Sequence, residues 1–375
     1  MVSPVVEEGS GSPEDDEVAT ATTNATTGGT GTTTGTSSNP GSLTTSSIGG
    51  GGTSINGVPN ATALETVLAT AGYDHTIKLW HIHTALCVKT FQHPDSQVND
   101  LCITPDRRLI AAAGFQHVRL YDIQGTTQSP TLNFEGIQKN VTAIGFNTDA
   151  QWMYTGGEDF NARIWDLRVS NPTCQKLFQT HSSPITSIAL HPNNVELIVG
   201  DHSGTIHVWD LRNDRTEQLI PDQTSSVPVQ HVAIDANGKF LAAVNNKGDC
   251  YIWSLDADGD GDHLRLSPLH RMKAHKRYAL TCCFSPDSNF LATTSADQTC
   301  KVWRTSDFSL VSDLHCSGQR WVWSAAFTGD SQFVLTASSD NLARLWSVES
   351  GQAKREYNGH QKPVTCVAYR DPSIT

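Results

Sequence analysis

From about Leu64 onward the chain is written in short β-type runs of apolar residues separated by polar turns. The stretch from Ala279 to Trp303 shows the unit. Leu280, Cys282 and Phe284 recur at every second position, which predicts a strand with one face buried. Ser285-Pro286-Asp287 then favours a tight turn, because Pro presets its φ and an Asp carboxylate bonds the nearby backbone. A second strand (290–294), a turn at Ala296-Asp297, a third strand ending in Trp303 and a fourth over 309–313 complete the unit. Comparable turns stand at Pro105-Asp106, His191-Pro192 and Gly329-Asp330.

The unit repeats. Aromatic residues ending short strands stand at Trp80, Tyr121, Trp165, Trp209, Trp253, Trp303 and Trp346, with spacings of 41, 44, 44, 44, 50 and 43 residues. That is close to the period of about 40–45 residues of a four-stranded propeller blade. Seven anchors predict an all-β chain folded as a seven-bladed β-propeller of the WD-repeat type. The chain enters at 67–72 with a second strand and leaves through 364–369 as a first strand without a successor. The terminal strand is therefore expected to join the blade of 67–91 and close the ring, leaving only short, protected sheet edges. The organisation read from this is a tail over 1–63, the propeller over 64–371 and a C-terminal end at 372–375.

His, Asp and Trp at fixed offsets within a blade suggest an internal hydrogen-bond relay. His360 with Asp74 and Trp80, and His275 with Asp297 and Trp303, form two complete sets, whereas Asp159 and Asp340 lack an obvious His. A His–Asp pair can also serve general acid–base catalysis. Here the pair repeats with the blades and has no nucleophile beside it, which favours a structural role.

Composition narrows the partners. The hydrophobic fraction of 37% is ample for a core, and the formal charge of −12 is uneven. Glu7, Glu8, Glu14, Asp15, Asp16 and Glu17 crowd the start, and no Lys or Arg precedes Lys78. The remainder carries about −6, which argues against a surface that tracks nucleic-acid phosphates. Residues 1–63 are Thr, Ser and Gly with almost no aromatics, a composition expected to stay disordered. They lack the pattern of a signal or transit peptide, and no run reaches the length of a membrane span. The sequons at Asn24 and Asn60 read as by-products of the Thr richness. Nine cysteines without regular spacing, among them Cys102, Cys250, Cys282 and Cys366 in strand-like runs, read as core fillers in a reducing compartment, the cytosol or the nucleus.

No Gly-rich phosphate loop, nucleophile elbow, CxxC pair or HExxH motif is present, so no catalytic or cofactor site is expected. His81 and His83 could share a strand face, but no third metal ligand stands near them. The run from Asp256 to Asp262 begins like a calcium loop. Ser267 holds the twelfth position, where a bidentate Glu belongs, so a solvated acidic loop insertion is the expectation and no metal site is assigned.

A partner surface is legible at the channel rim. Turn chemistry aligns Val98, Val141, Ile185, Val322 and Val364 at one buried position of the first strands. Their neighbours on either side should face the opposite way. Most are small or polar: Gln97 and Asn99, Asn140 and Thr142, Pro184 and Thr186, Pro363 and Thr365. Trp321 and Trp323 depart from that pattern and read as a binding hot spot, with Tyr278, Tyr73 and Phe115 as candidate extensions.

Several stretches carry a family resemblance: His93-Pro94-Asp95-Ser96-Gln97-Val98-Asn99, Trp152 to Asp159, Thr336 to Trp346, and Arg355 to Gln361. Together they resemble the small WD-repeat subunits of the target of rapamycin (TOR) kinase complexes, from about Leu64 to Asp371. The acidic insertion and the tail fall outside the likeness. The resemblance implies a non-catalytic scaffold subunit of TOR complexes 1 and 2, with no cofactor and no direct membrane insertion. It also implies a propeller that clasps the small lobe of the TOR kinase domain, and recruitment to endomembrane surfaces through the complex. The family's kinase-contacting positions carry over onto Gln97, Asn99, Trp321 and Trp323.

Rival readings are a substrate receptor of a cullin-type ubiquitin ligase and a G-protein β subunit. Trp165-Asp166-Leu167-Arg168 and Trp209-Asp210-Leu211-Arg212 fit the motif used by the former, although third-strand ends commonly look this way. The latter would need an N-terminal coiled coil, and residues 1–63 carry no heptads.

Overall fold

A computed structural model describes residues 66–169, 173–180, 183–222, 226–257 and 264–372. The tail of 1–63, both sequons and residues 258–262 of the acidic run lie outside the described residues. Asp256 and Ala257, placed in a loop by the sequence reading, instead end the strand Asp249–Ala257.

The described residues form seven four-stranded antiparallel sheets, the blades of a propeller. Blade 1 is built from both ends of this region. Val364–Arg370 is its innermost strand, followed outward by Val67–Gly72, Thr76–Trp80 and Cys87–Gln92. The ring-closing pairing runs from Val67 opposite Arg370 to Gly72 opposite Val364. A side chain at Gly72 would meet the Pro363 carbonyl at 2.0 Å, so the closure requires glycine there. Blades 2 to 7 begin with Asp100–Ile103, Val141–Phe146, Ile185–Leu190, Val229–Ile234, Ala279–Phe284 and Val322–Phe327.

The core lies between blades rather than within them. Trp165 of blade 3 packs with Leu120 and Phe134 of blade 2, and Trp80 of blade 1 packs with Leu335 and Tyr357 of blade 7. Each anchor is thus a wedge, and cutting such an aromatic back to Ala costs about 3–5 kcal/mol. All nine cysteines are free, and Cys250, Cys282, Cys300 and Cys366 are buried among the strands.

The turns between second and third strands show how sequence sets local geometry. Asp74, Asp159, Asp201, Asp297 and Asp340 each accept, through one carboxylate oxygen, the backbone amide two to four residues on. This closes a side-chain-built turn. The residue after the Asp takes positive φ at His75, Phe160, Gln298 and Asn341. These turns, with the loops that carry the chain from one blade to the next, lie on a single face, here called the top.

Candidate functional site: the top rim and channel mouth

The second carboxylate oxygen of each turn Asp points into the blade. Asp74 Oδ2 meets His360 Nδ1 at 2.8 Å, and Asp297 Oδ2 meets His275 Nδ1 at 3.1 Å. His360 and His275 do not reach the indoles directly. Each contacts a threonine, Thr70 at 2.7 Å and Thr293 at 2.8 Å, and that hydroxyl accepts from Trp80 Nε1 or Trp303 Nε1. Trp165 and Trp346 donate in the same way to Thr155 and Thr336. In those two blades an arginine replaces the missing His: Arg163 pairs with Asp159 at 2.6 Å and Arg344 with Asp340 at 2.7 Å. Burial works against the Asp74 charge, but hydrogen bonds from His360, Thr76 and the Gln361 amide outweigh it and hold the carboxyl at about 2. The relays therefore tie the top turns to the blade interiors. That accounts for the His–Asp pairs without a catalytic role.

The channel mouth owes its form to a bulge. In blades 3, 4, 5 and 7 the pairing slips by one residue just after the buried Val or Ile, skipping Thr142, Thr186, Gln230 and Trp323. Blade 1 skips Thr365. A bulged residue leaves the ladder and can be re-aimed. These residues line a central channel of about 410 Å³ together with Asn99, Tyr73 and Leu280. Simple strand alternation placed both neighbours of the buried residue on one face. The bulge separates them: Asn99 and Trp323 line the channel, whereas Gln97 and Trp321 lie outside that lining.

Four bulge or bulge-equivalent residues bolt neighbouring blades together. Thr365 donates to the Val98 carbonyl at 2.7 Å, Asn99 to Val141 at 3.0 Å, Thr142 to Ile185 at 2.7 Å and Thr186 to Val229 at 2.7 Å. Leu280 and Trp323 replace the bolt in blades 6 and 7. Trp323 Nε1 is buried and has no hydrogen-bond partner among the described residues. Deeper in the channel, burial raises Asp100 to about 7 even though its carboxyl accepts the Ile144 and Leu101 amides. Burial lowers His231 to about 4.

The remaining candidate residues form an arc. Trp321 and Trp323 are half-buried, and their rings sit 5.5 Å apart at 48°. Tyr278 precedes the buried Ala279 of blade 6 as Trp321 precedes Val322 of blade 7, and it is 52% exposed. Tyr73 and Phe115, 38% and 46% exposed, stand in top turns of blades 1 and 2. The Tyr73 amide donates to Pro363, and Phe115 bridges to Asn140. Gln97 is half-buried on the loop entering blade 2. The aromatic residues thus run over the consecutive blades 6, 7, 1 and 2, whereas blades 3 to 5 present Asn140, Pro184 and Pro228 at the corresponding rim position. His81 and His83 have their rings 5.9 Å apart, and no cluster of three metal-ligating side chains occurs among the described residues.

This architecture defines a WD-repeat propeller. The WD domain, G-beta repeat family matches residues 49–81, 85–122, 128–166, 172–210, 266–304 and 309–347. The chain is 55% identical over 313 residues to the target of rapamycin complex subunit LST8 of Bos taurus, covering 81% of this chain and 95% of that protein. It is 45% identical to the target of rapamycin complex subunit wat1 of Schizosaccharomyces pombe, covering 82% and 96%. The LST8 subunit of Saccharomyces cerevisiae is 43% identical, with 82% and 100% covered. The chain belongs to the LST8 family of target of rapamycin complex subunits.

Proposed function

We propose that the chain is a non-catalytic, cytoplasmic scaffold subunit of TOR complexes 1 and 2, and that its top rim holds the small lobe of the TOR kinase domain. The observation that carries the reading is the indole pair Trp321–Trp323, set at the channel mouth of a chain whose relatives are named as TOR complex subunits. Large aromatics partly buried at a surface are the usual anchors of protein interfaces. Gln97 and Asn99 would flank the pair from blade 2, and Tyr73, Tyr278 and Phe115 would widen the contact. The motif that raised a ubiquitin-ligase reading has a local explanation. Arg168 binds Asp166 at 2.6 Å and Arg212 binds Asp210 at 3.1 Å, so each closes its own strand end.

The test is capture of TOR kinase domain by the wild-type chain and by the Trp321→Ala, Trp323→Ala double variant. Loss of an anchor pair should cost about 2–4 kcal/mol, roughly 30- to 1000-fold in affinity. Undiminished binding by a folded double variant would move the interface elsewhere.

A further inference from the structure

The aromatic arc carries a second pattern. In blades 6, 7 and 1 the loop residues just before the rim position are basic: Lys276 and Arg277 before Tyr278, Arg320 before Trp321, and Lys362 before Pro363. All four cations are exposed, and none makes an ion pair among the described residues. The corresponding position holds Ser96 in blade 2, Ser183 in blade 4 and Val227 in blade 5, and Lys139 of blade 3 lies over the Phe160 ring, 5.2 Å from its centroid.

The acids of the same top turns are turned away from solvent. Asp74 takes His360 and the Gln361 amide, Asp297 takes His275 and the Lys276 amide, and Asp340 takes Arg344. The rim carbonyls are also occupied. Those of Tyr278, Trp321 and Pro363 accept the amides of Ala296, Ser339 and Tyr73. The buried Trp323 Nε1 at the edge of this arc is a further donor without a partner among the described residues. On a chain of net charge −12, this sector therefore presents four cations without an ion pair and an indole N–H without a hydrogen-bond partner among the described residues.

We infer that this sector is built to receive a protein segment bearing carboxylates beside apolar side chains. The acids would meet Lys276, Arg277, Arg320 and Lys362, an acceptor would reach Trp323 Nε1, and the apolar groups would lie on Tyr278 and Trp321. Charge complementarity of this kind steers encounter and fixes orientation, while the aromatic contacts hold the complex. The inference rests on the proposed kinase-docking role in that it assigns the docked kinase element its chemistry.

Two probes separate the failure of the inference from the failure of that role. The full chain, a Lys276→Glu, Arg277→Glu, Arg320→Glu, Lys362→Glu variant and the matching four-site Gln variant are titrated with TOR kinase domain and with a labelled Glu-Glu-Trp-Glu-Glu-Leu peptide. Titrations run between 50 and 500 mM salt, and unchanged melting curves establish that the exposed substitutions leave the fold intact. The expected result is kinase binding that weakens by about 10-fold or more with salt and with charge reversal, with the Gln variant between. Kinase binding that is lost in the Trp double variant yet indifferent to salt and to charge reversal would overturn the inference and leave the docking role standing. If wild type does not bind the kinase, the docking role fails and the peptide decides. Peptide binding abolished by charge reversal supports an acidic ligand for this sector, and absence of peptide binding overturns it.

Discussion

At the scale of single residues, the relay threonines carry more of the structure than their chemistry suggests. Thr70 accepts from Trp80 and contacts His360, so Thr70→Val should orphan two buried polar groups at about 1–3 kcal/mol each. A melting temperature within a degree of wild type would show that the relay is idle. Asp100 and Asp74 should respond to pH in opposite senses. Asp74 is held at about 2, below the ordinary carboxylate range, so its contribution is complete above about pH 4 and is lost as pH falls through 2. Asp100 is raised to about 7, so the folded state keeps a proton that the unfolded chain releases near 4. Its contribution therefore declines as pH rises from about 4 to 7. Asp100→Asn can still accept from Ile144, and it should gain on wild type in unfolding free energy between pH 4 and pH 8. Parallel curves for the two proteins would contradict the raised value. The tryptophan anchors were legible in the sequence because indoles are rare and recur at blade spacing. The threonines were not, because Thr is ordinary in strands, although each stands ten residues before its Trp. The arginines that replace histidine in blades 3 and 7 were hidden for a related reason: they come from the third strand, four residues after the Asp, rather than from the entering loop.

At the scale of elements, the innermost strands decide both closure and the channel. Without Val364–Arg370, the strand Val67–Gly72 loses its inner neighbour and exposes an edge that can pair with another chain. A chain ending at residue 363 should therefore aggregate or lose cooperative unfolding, as read by light scattering and circular dichroism. A soluble monomer that melts like wild type would refute the closure. The missing first strand at the entry and the surplus one at the exit made this pairing readable. Strand alternation alone could not reveal the bulge, because an extra residue leaves the hydrophobic run intact while re-aiming one side chain. For that reason Asn99 and Trp323 could be placed with Gln97 and Trp321 on one rim from sequence, yet only the former two line the channel. The bulge also explains why Thr serves so often there: a short hydroxyl reaches the next blade's carbonyl at 2.7 Å.

At the scale of the whole molecule, the propeller is asymmetric in what it offers. Blades 1 to 5 are joined around the channel by side-chain bolts, and blades 6, 7 and 1 carry the indole pair, Tyr278, Tyr73 and the free cations. Under the proposed role, a ring with one aromatic and cationic sector would favour one conformation of a bound partner, shifting a population rather than turning over a substrate. In that role it would stabilise its partner by mass action, by about 2.7 kcal/mol at a hundred times its dissociation constant. The most direct measurement is thermal unfolding and activity of isolated TOR kinase domain with and without the saturating full chain. A scaffold that holds the small lobe should raise the kinase's melting temperature by several degrees and increase its activity, and both gains should vanish with the Trp321→Ala, Trp323→Ala variant. Unchanged melting and unchanged activity in the presence of the wild-type chain would contradict the account.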